Sequence, residues 1–105
     1  MTSRESELAA RYKNRIQNIV KILGDIFGYE ITIQGNRILL RSLFAFDEED
    51  IITLLISETG KIAVEGSPFV KKMDKEKNIY LDKGGSISAF LSAITLTLFD
   101  QKTFQ

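Results

Sequence analysis

Two hydrophobic periodicities meet at Gly28, and this junction restricts the fold more than any other feature of the chain. Before Gly28, large apolar residues recur at alternating steps of four and three, the a/d spacing of a helix that packs along one seam. The residues of this seam are Tyr12, Ile16, Ile19, Leu23 and Ile26. After Gly28, residues 29–34 alternate between apolar and polar, which is typical of a half-buried strand. The pattern predicts a long helix that leads directly into a sheet.

The first helix is predicted from Ser6 to Phe27, and its seam has three interpretations. It pairs with a copy of the chain in a parallel dimer, it is a core helix, or it is the tail of a longer coiled coil. Val20, Ile22 and Phe27 widen the apolar stripe near its end, as docking against a domain would require. We expect residues 1–27 to form the end of a parallel coiled coil and residues 28–105 to form the C-terminal domain.

The middle of the chain predicts an antiparallel meander of three to four strands. Gly35 and Asn36 supply positive-φ residues for a tight hairpin turn between residues 29–34 and a returning strand at 37–44. Residues 51–57 and 61–65 are rich in apolar and β-branched side chains and predict two further strands. Residues 78–82 are interpreted as a small edge strand after a solvated, mixed-charge connector.

The last segment predicts a helix that packs on this sheet. Ser86 or Ser88 can cap it, because a serine hydroxyl accepts an N-terminal amide that has no partner in the helix. A continuous apolar face follows at helical spacing: Ile87, Phe90, Leu91, Ile94 and Leu98. The expected fold class is therefore α+β, with an N-terminal coiled-coil helix, the meander and a C-terminal helix on the sheet.

Composition excludes several classes of function. The sequence has no Cys and no His, which removes thiol nucleophiles, the usual zinc ligands and the most common general base. Lys plus Arg number 14 and Asp plus Glu number 14, so no net charge attracts nucleic acid or an anionic membrane. Without a signal peptide pattern or an apolar run of membrane-spanning length, the chain is expected to be soluble and intracellular. We expect no enzyme activity, metal or cofactor.

Two polar segments receive structural interpretations. Residues 47–50 are four consecutive acids, and they are interpreted as a solubilising loop because they lack metal-site spacing. Gly84, Gly85 and Ser86 precede a helix, but without a phosphate-binding motif they are interpreted as a turn and cap.

One patch of charge stands out on the first helix, where four basic residues follow each other without an intervening acid. They are Arg11, Lys13, Arg15 and Lys21. A dimer would double this charge, and the surface would suit a phosphorylated or acidic peptide. The alternative is that these side chains merely solvate the outer face of a coil.

Three segments resemble a known family: residues 27–31 (FGYEI), 40–45 (LRSLFA) and 86–99 (SISAFLSAITLTLF). Across residues 12–104 they are similar to the C-terminal domain of the mitotic arrest deficient one family of spindle assembly checkpoint proteins. The resemblance implies an RWD-type fold at the end of a parallel coiled coil. It also implies a homodimeric scaffold that acts in the nucleus at unattached kinetochores, and it leaves the nuclear envelope and pore open as further locations.

The resemblance further implies a set of protein partners. They are a phosphorylated checkpoint kinase, the activator of the anaphase-promoting complex, and a horseshoe-domain checkpoint protein that binds an upstream segment absent from this sequence. The family's Arg-Leu-Lys triplet, which contacts the kinase phosphopeptide, falls at Glu7-Leu8-Ala9. The contact has therefore either moved to Arg11 and Lys13 or become weaker.

The resemblance also marks Thr103, expected just past the last helix, as a phosphorylation site through which the domain engages the activator. The competing hypothesis is an architectural dimerisation cap that ends a coiled coil and fixes its register.

Overall fold

A four-stranded antiparallel sheet follows a long N-terminal helix and precedes a long C-terminal one in the computed structural model, which describes residues 3–103. The strands lie in the order of the sequence, β1-β2-β3-β4. The elements are α1 (Ser3–Phe27), β1 (Tyr29–Gln34), β2 (Arg37–Ser42), β3 (Ile51–Ile56), β4 (Ile62–Val64), α2 (Pro68–Lys72), α3 (Asp74–Glu76), a π-helix (Lys77–Lys83) and α4 (Ile87–Thr103). The predicted α+β class, meander and C-terminal helix are confirmed.

The passage from α1 to β1 depends on two glycines. Gly28 has φ 82° and donates its amide to the carbonyl of Gly24 at 2.8 Å, which closes the helix. Gly24 is buried, and a Cβ at this position would collide with the carbonyl oxygen of Tyr29. The missing side chain therefore lets the end of α1 lie directly against the first residue of the edge strand.

One hydrophobic core joins the sheet to the helices that follow it. The buried residues come from all three of these regions: Tyr29, Leu40, Ile52 and Leu54 from the strands; Phe69, Val70 and Met73 from α2 and its end; Phe90, Ile94 and Leu98 from α4. The alternation along the strands and the i, i+4, i+8 spacing on α4 place these side chains on facing surfaces.

The hairpin turn between β1 and β2 differs from the sequence prediction. Gly35 has φ 59°, whereas Asn36 does not have a positive φ. The prediction that both residues supply positive φ is therefore wrong. A type II′ turn requires positive φ only at its first central residue, which a glycine occupies here without strain.

The segment predicted as a mixed-charge connector contains two short helices. Ser67 accepts the amide of Val70 at 3.2 Å on its hydroxyl, and Pro68 stands at the first helical position of α2. This Ser-Pro pair is a helix start signal that is visible in the sequence. The buried side chains of Phe69 and Val70 then anchor the helix in the core.

The predicted edge strand at residues 78–82 is wrong, because residues 77–83 form a π-helix. The Gly84 amide donates to the carbonyl of Ile79 at 3.1 Å, five residues back, and a Cβ on Gly84 would lie 2.8 Å from the Tyr80 oxygen. Lys77 and Asp82, also five residues apart, form an ion pair at 3.0 Å. The wider helical turn and a glycine at its end therefore replace the expected extended backbone.

The start of α4 is capped by Ser86, whose hydroxyl oxygen accepts the amide of Ala89 at 3.1 Å. This confirms one of the two caps that the sequence left open. At the other end, Thr103 is the last residue of α4 and is exposed, rather than lying beyond the helix as expected.

Candidate protein-interaction site

The seam of α1 is uncovered in the single chain. Its five side chains keep between 42% and 67% of their surface exposed: Tyr12, Ile16, Ile19, Leu23 and Ile26. Leu8, Ile22 and Phe27 are also exposed and extend the apolar surface on both sides of the seam. A surface of this length is a candidate interface, because soluble proteins rarely leave contiguous large apolar side chains in water.

The four basic residues of the predicted patch do not share one face of α1. Arg11 and Arg15 are four residues apart and lie together on one flank of the seam, while Lys13 lies on the opposite flank. Lys21 forms an exposed ion pair with Asp25 at 3.2 Å. Within one chain, the structure therefore brings only Arg11 and Arg15 together.

Sequence reasoning missed a third base on this flank. Arg4 lies seven residues before Arg11, so two helical turns place both side chains on the same side of α1. The two arginines line a shallow surface cleft with Ser3, Glu7 and Leu8. The signal for this placement in the sequence is the seven-residue spacing of Arg4 and Arg11.

A groove of about 530 Å³ runs between α1 and the free edge of β1. Ile16 and Val20 form its helical wall, and Ile31 and Ile33 form its strand wall. Along β1, residues that hydrogen-bond to β2 alternate with residues that do not, and the bond from Leu43 N to Gly28 O fixes this alternation. The backbone groups of Ile31 and Ile33 therefore point away from β2. The groove therefore combines apolar walls with an unpaired strand edge.

The acidic loop is not simply solvated. Glu48 and Glu49 are exposed, but the Asp50 side chain retains only 10% of its surface. One carboxylate oxygen of Asp50 accepts the amide of Asp47 at 3.2 Å, and the other lies 4.0 Å from the Lys72 amine. Asp50 therefore folds the loop back toward α2, which corrects the interpretation of all four acids as a solubilising segment.

A second cavity of about 400 Å³ lies beside Asp50. The buried side chains of Phe69, Met73 and Leu98 form its floor, while Phe46 stands half exposed at its rim. Across the cavity, the Thr97 hydroxyl donates to a Glu76 carboxylate oxygen at 3.2 Å and joins α4 to α3.

A metal-binding cluster and a membrane-spanning helix are both absent from the part of the chain that the structure describes. Residues 3–103 contain no group of three or more acidic side chains placed to hold a metal ion. Over the same residues, no helix is both long and apolar enough to cross a bilayer.

The comparison with known protein families covers nearly all of the described chain. A family model described as a mitotic checkpoint protein matches residues 4–103, from the first turn of α1 to the last residue of α4. A search of curated proteins found no significant match.

Proposed function

Because the chain belongs to the mitotic checkpoint protein family, we propose that it is a homodimeric scaffold domain of the spindle assembly checkpoint. The observation that carries this proposal is the exposed apolar seam of α1. Two copies packed in parallel along this seam would remove its side chains from water at about 25 cal/mol per Å² of apolar surface. The proposed division of the chain is a dimer helix at residues 1–27 and an RWD-like domain at residues 28–105.

The dimer is tested by placing charge in the seam. The double variant Ile16→Asp with Ile19→Asp should be monomeric in multi-angle light scattering, because each carboxylate would otherwise be buried unpaired against its copy. The matched control is Asn14→Asp with Asn18→Asp, which adds the same charge to the helix face opposite the seam. A monomeric wild-type chain at high concentration would refute the proposal.

The dimer would also bring the separated basic residues together, once on each of its two sides. In a parallel two-stranded coil, the g flank of one helix runs beside the e flank of its partner. Arg15 lies at a g position of the seam and Lys13 at an e position, so each side of the dimer would carry Arg11 and Arg15 from one copy and Lys13 from the other. Such a site suits a phosphorylated segment of the checkpoint kinase, since arginine donors match phosphate oxygens.

The remaining features of the proposal follow from family membership. The domain would act at unattached kinetochores in the nucleus and would engage the activator of the anaphase-promoting complex after phosphorylation of Thr103. Thr103 is exposed at the end of α4, where a kinase can reach it. The horseshoe-domain checkpoint protein would bind a segment outside this sequence.

A second candidate is an architectural cap that ends a coiled coil without binding phosphopeptides. Two observations favour it: Lys21 is already paired with Asp25, and the place of the family's basic triplet is occupied by Glu7, Leu8 and Ala9. A pull-down with phosphorylated and unphosphorylated kinase peptide separates the candidates. If the domain is only an architectural cap, both peptides should be retained equally, at background level.

A further inference from the structure

The cavity beside Asp50 has the size and composition of a side-chain binding site. Its volume of about 400 Å³ lies within the range of ligand pockets, roughly 300–1,000 Å³. Apolar core residues form its floor, and polar groups of α3 and α4, Glu76, Thr97 and Gln101, stand around it. It is formed by the acidic loop, α2 to α3 and α4, and it lies apart from the seam of α1.

A largely buried carboxylate lies in the wall of this cavity. Asp50 keeps one oxygen in a hydrogen bond from the Asp47 amide. Among the residues that the structure describes, the cation nearest its other oxygen is Lys72, at 4.0 Å, which is longer than a charge-assisted hydrogen bond of about 2.7–2.9 Å. The Lys72 side chain remains 64% exposed, so it is a loosely held counter-ion that a better donor can displace.

An aromatic ring at the rim already holds a cation. The Lys102 amine lies 5.6 Å from the centre of the Phe46 ring, within cation-π distance. Two lysines of the chain thus approach the cavity, one toward its carboxylate and one toward its ring. The charged residues that line the cavity are three acids, Asp47, Asp50 and Glu76, and two bases, Lys72 and Lys75. The adjoining Glu48 and Glu49 add further negative charge.

From this arrangement we infer that the cavity binds an arginine side chain of a partner protein. A guanidinium is planar, stacks on an aromatic face and donates two parallel hydrogen bonds to a carboxylate. It can therefore use Phe46 and Asp50 together, whereas each resident lysine reaches one of them. The site needs neither the dimer nor a phosphate, and it goes beyond the proposed function.

The experiment is a nuclear magnetic resonance titration of the ¹⁵N-labelled chain with the blocked tripeptide acetyl-Gly-Arg-Gly-amide. Two matched peptides replace the arginine, one with lysine and the other with citrulline, which has the shape of arginine but no charge. We expect amide shifts around Phe46, Asp50 and Gln101 with arginine, at a dissociation constant on the order of 1 mM. Lysine should bind more weakly and citrulline should give no shifts there. Equal shifts with arginine and citrulline, or none with arginine, would overturn the inference.

Variants assign the binding to the named side chains. Asp50→Asn keeps an acceptor for the Asp47 amide but removes the charge, and it should weaken arginine binding about tenfold or more. Asp25→Asn, which changes an exposed carboxylate on α1, should bind as the wild type does. Lys72→Met removes the resident cation and should strengthen binding, which tests the site even if Asp50→Asn does not fold. Unchanged affinity in both Asp50→Asn and Lys72→Met would contradict the assignment.

Discussion

The hydroxyl of Tyr29 donates a hydrogen bond to the backbone carbonyl of Leu91 at 2.5 Å, and this bond ties the first strand to the last helix. The same carbonyl accepts the Thr95 hydroxyl at 3.1 Å. Tyr29 is buried, and desolvation raises the pKa of its phenol above 10.0, while a hydrogen bond with Thr95 acts in the opposite direction. Tyr29 and Leu91, 62 positions apart in the sequence, are thus connected through the Tyr29 side chain.

Tyr29→Phe should destabilise the fold by about 1–2 kcal/mol, because it removes the bond to the Leu91 carbonyl and keeps the ring in the core. Chemical denaturation measures this difference. Tyr80→Phe, at an exposed position of the π-helix, is the matched control and should change stability little. An equal effect of both substitutions would show that the contact contributes nothing specific.

Stability should fall in alkaline solution through Tyr29. Above about pH 10 the unfolded chain loses the phenol proton while the folded chain, whose Tyr29 pKa is raised, retains it. The contribution is therefore complete below the unfolded pKa and is lost as the pH rises toward the folded pKa. Denaturation curves from pH 8 to pH 11 should show a smaller decline for Tyr29→Phe than for the wild type. Parallel declines would assign the alkaline loss to other groups.

Gly24→Ala should separate α1 from β1. The added methyl would collide with the Tyr29 carbonyl, a backbone atom that cannot move without disturbing the strand. We expect a loss of about 1–3 kcal/mol, typical of overpacking, despite the better helix propensity of alanine. Gly66→Ala is the control, since nothing lies within 4 Å of its Cβ position and its φ is not positive. A stabilised Gly24→Ala chain would contradict the close approach.

Mixed dimers should reveal whether two copies share the phosphopeptide site. One chain carries Arg11→Ala with Arg15→Ala, and the other carries Lys13→Ala. Each homodimer lacks part of both sites, but the mixed dimer regains one complete site and should bind one phosphopeptide by calorimetry, more weakly at high salt. If the mixed dimer binds no better than either parent, the bases do not act across the seam.

Phosphorylation of Thr103 should create a partner site without stabilising the fold. The phosphate adds about 1.5 to 2 negative charges at the C-terminal end of α4, where the helix dipole disfavours anions. The melting temperature should therefore not rise, while affinity for the activator's basic N-terminal peptide should increase. Equal affinities of the phosphorylated chain, the unmodified chain and Thr103→Ala would remove Thr103 from the mechanism.

Periodic segments were predictable from the sequence because one interaction dominates each of them. The alternation of apolar and polar residues defines β1, and the apolar face through Phe90, Ile94 and Leu98 defines α4. The π-helix was not predictable, since residues 77–83 show neither period and the segment packs against α4, a contact that the sequence alone does not show.

The two candidate sites also differ in how far the sequence could predict them. The seam of α1 follows from residue spacing alone, and its pairing with a copy stays a prediction. The cavity beside Asp50 could not be predicted, because Phe46, Lys72 and Gln101 come from three separate elements that meet only in the folded chain. In the sequence, Asp50 is indistinguishable from the three acids before it.

The Gly28 turn gives the domain a defined mechanical connection. A force exerted on α1 passes through this turn into the edge strand, whose six residues pair with β2. The buried contact between Gly24 and the start of that strand shares the force before it reaches the sheet. The helix and the domain at its end would therefore move together, because bending at this turn would have to break the buried contact of Gly24 with the start of β1.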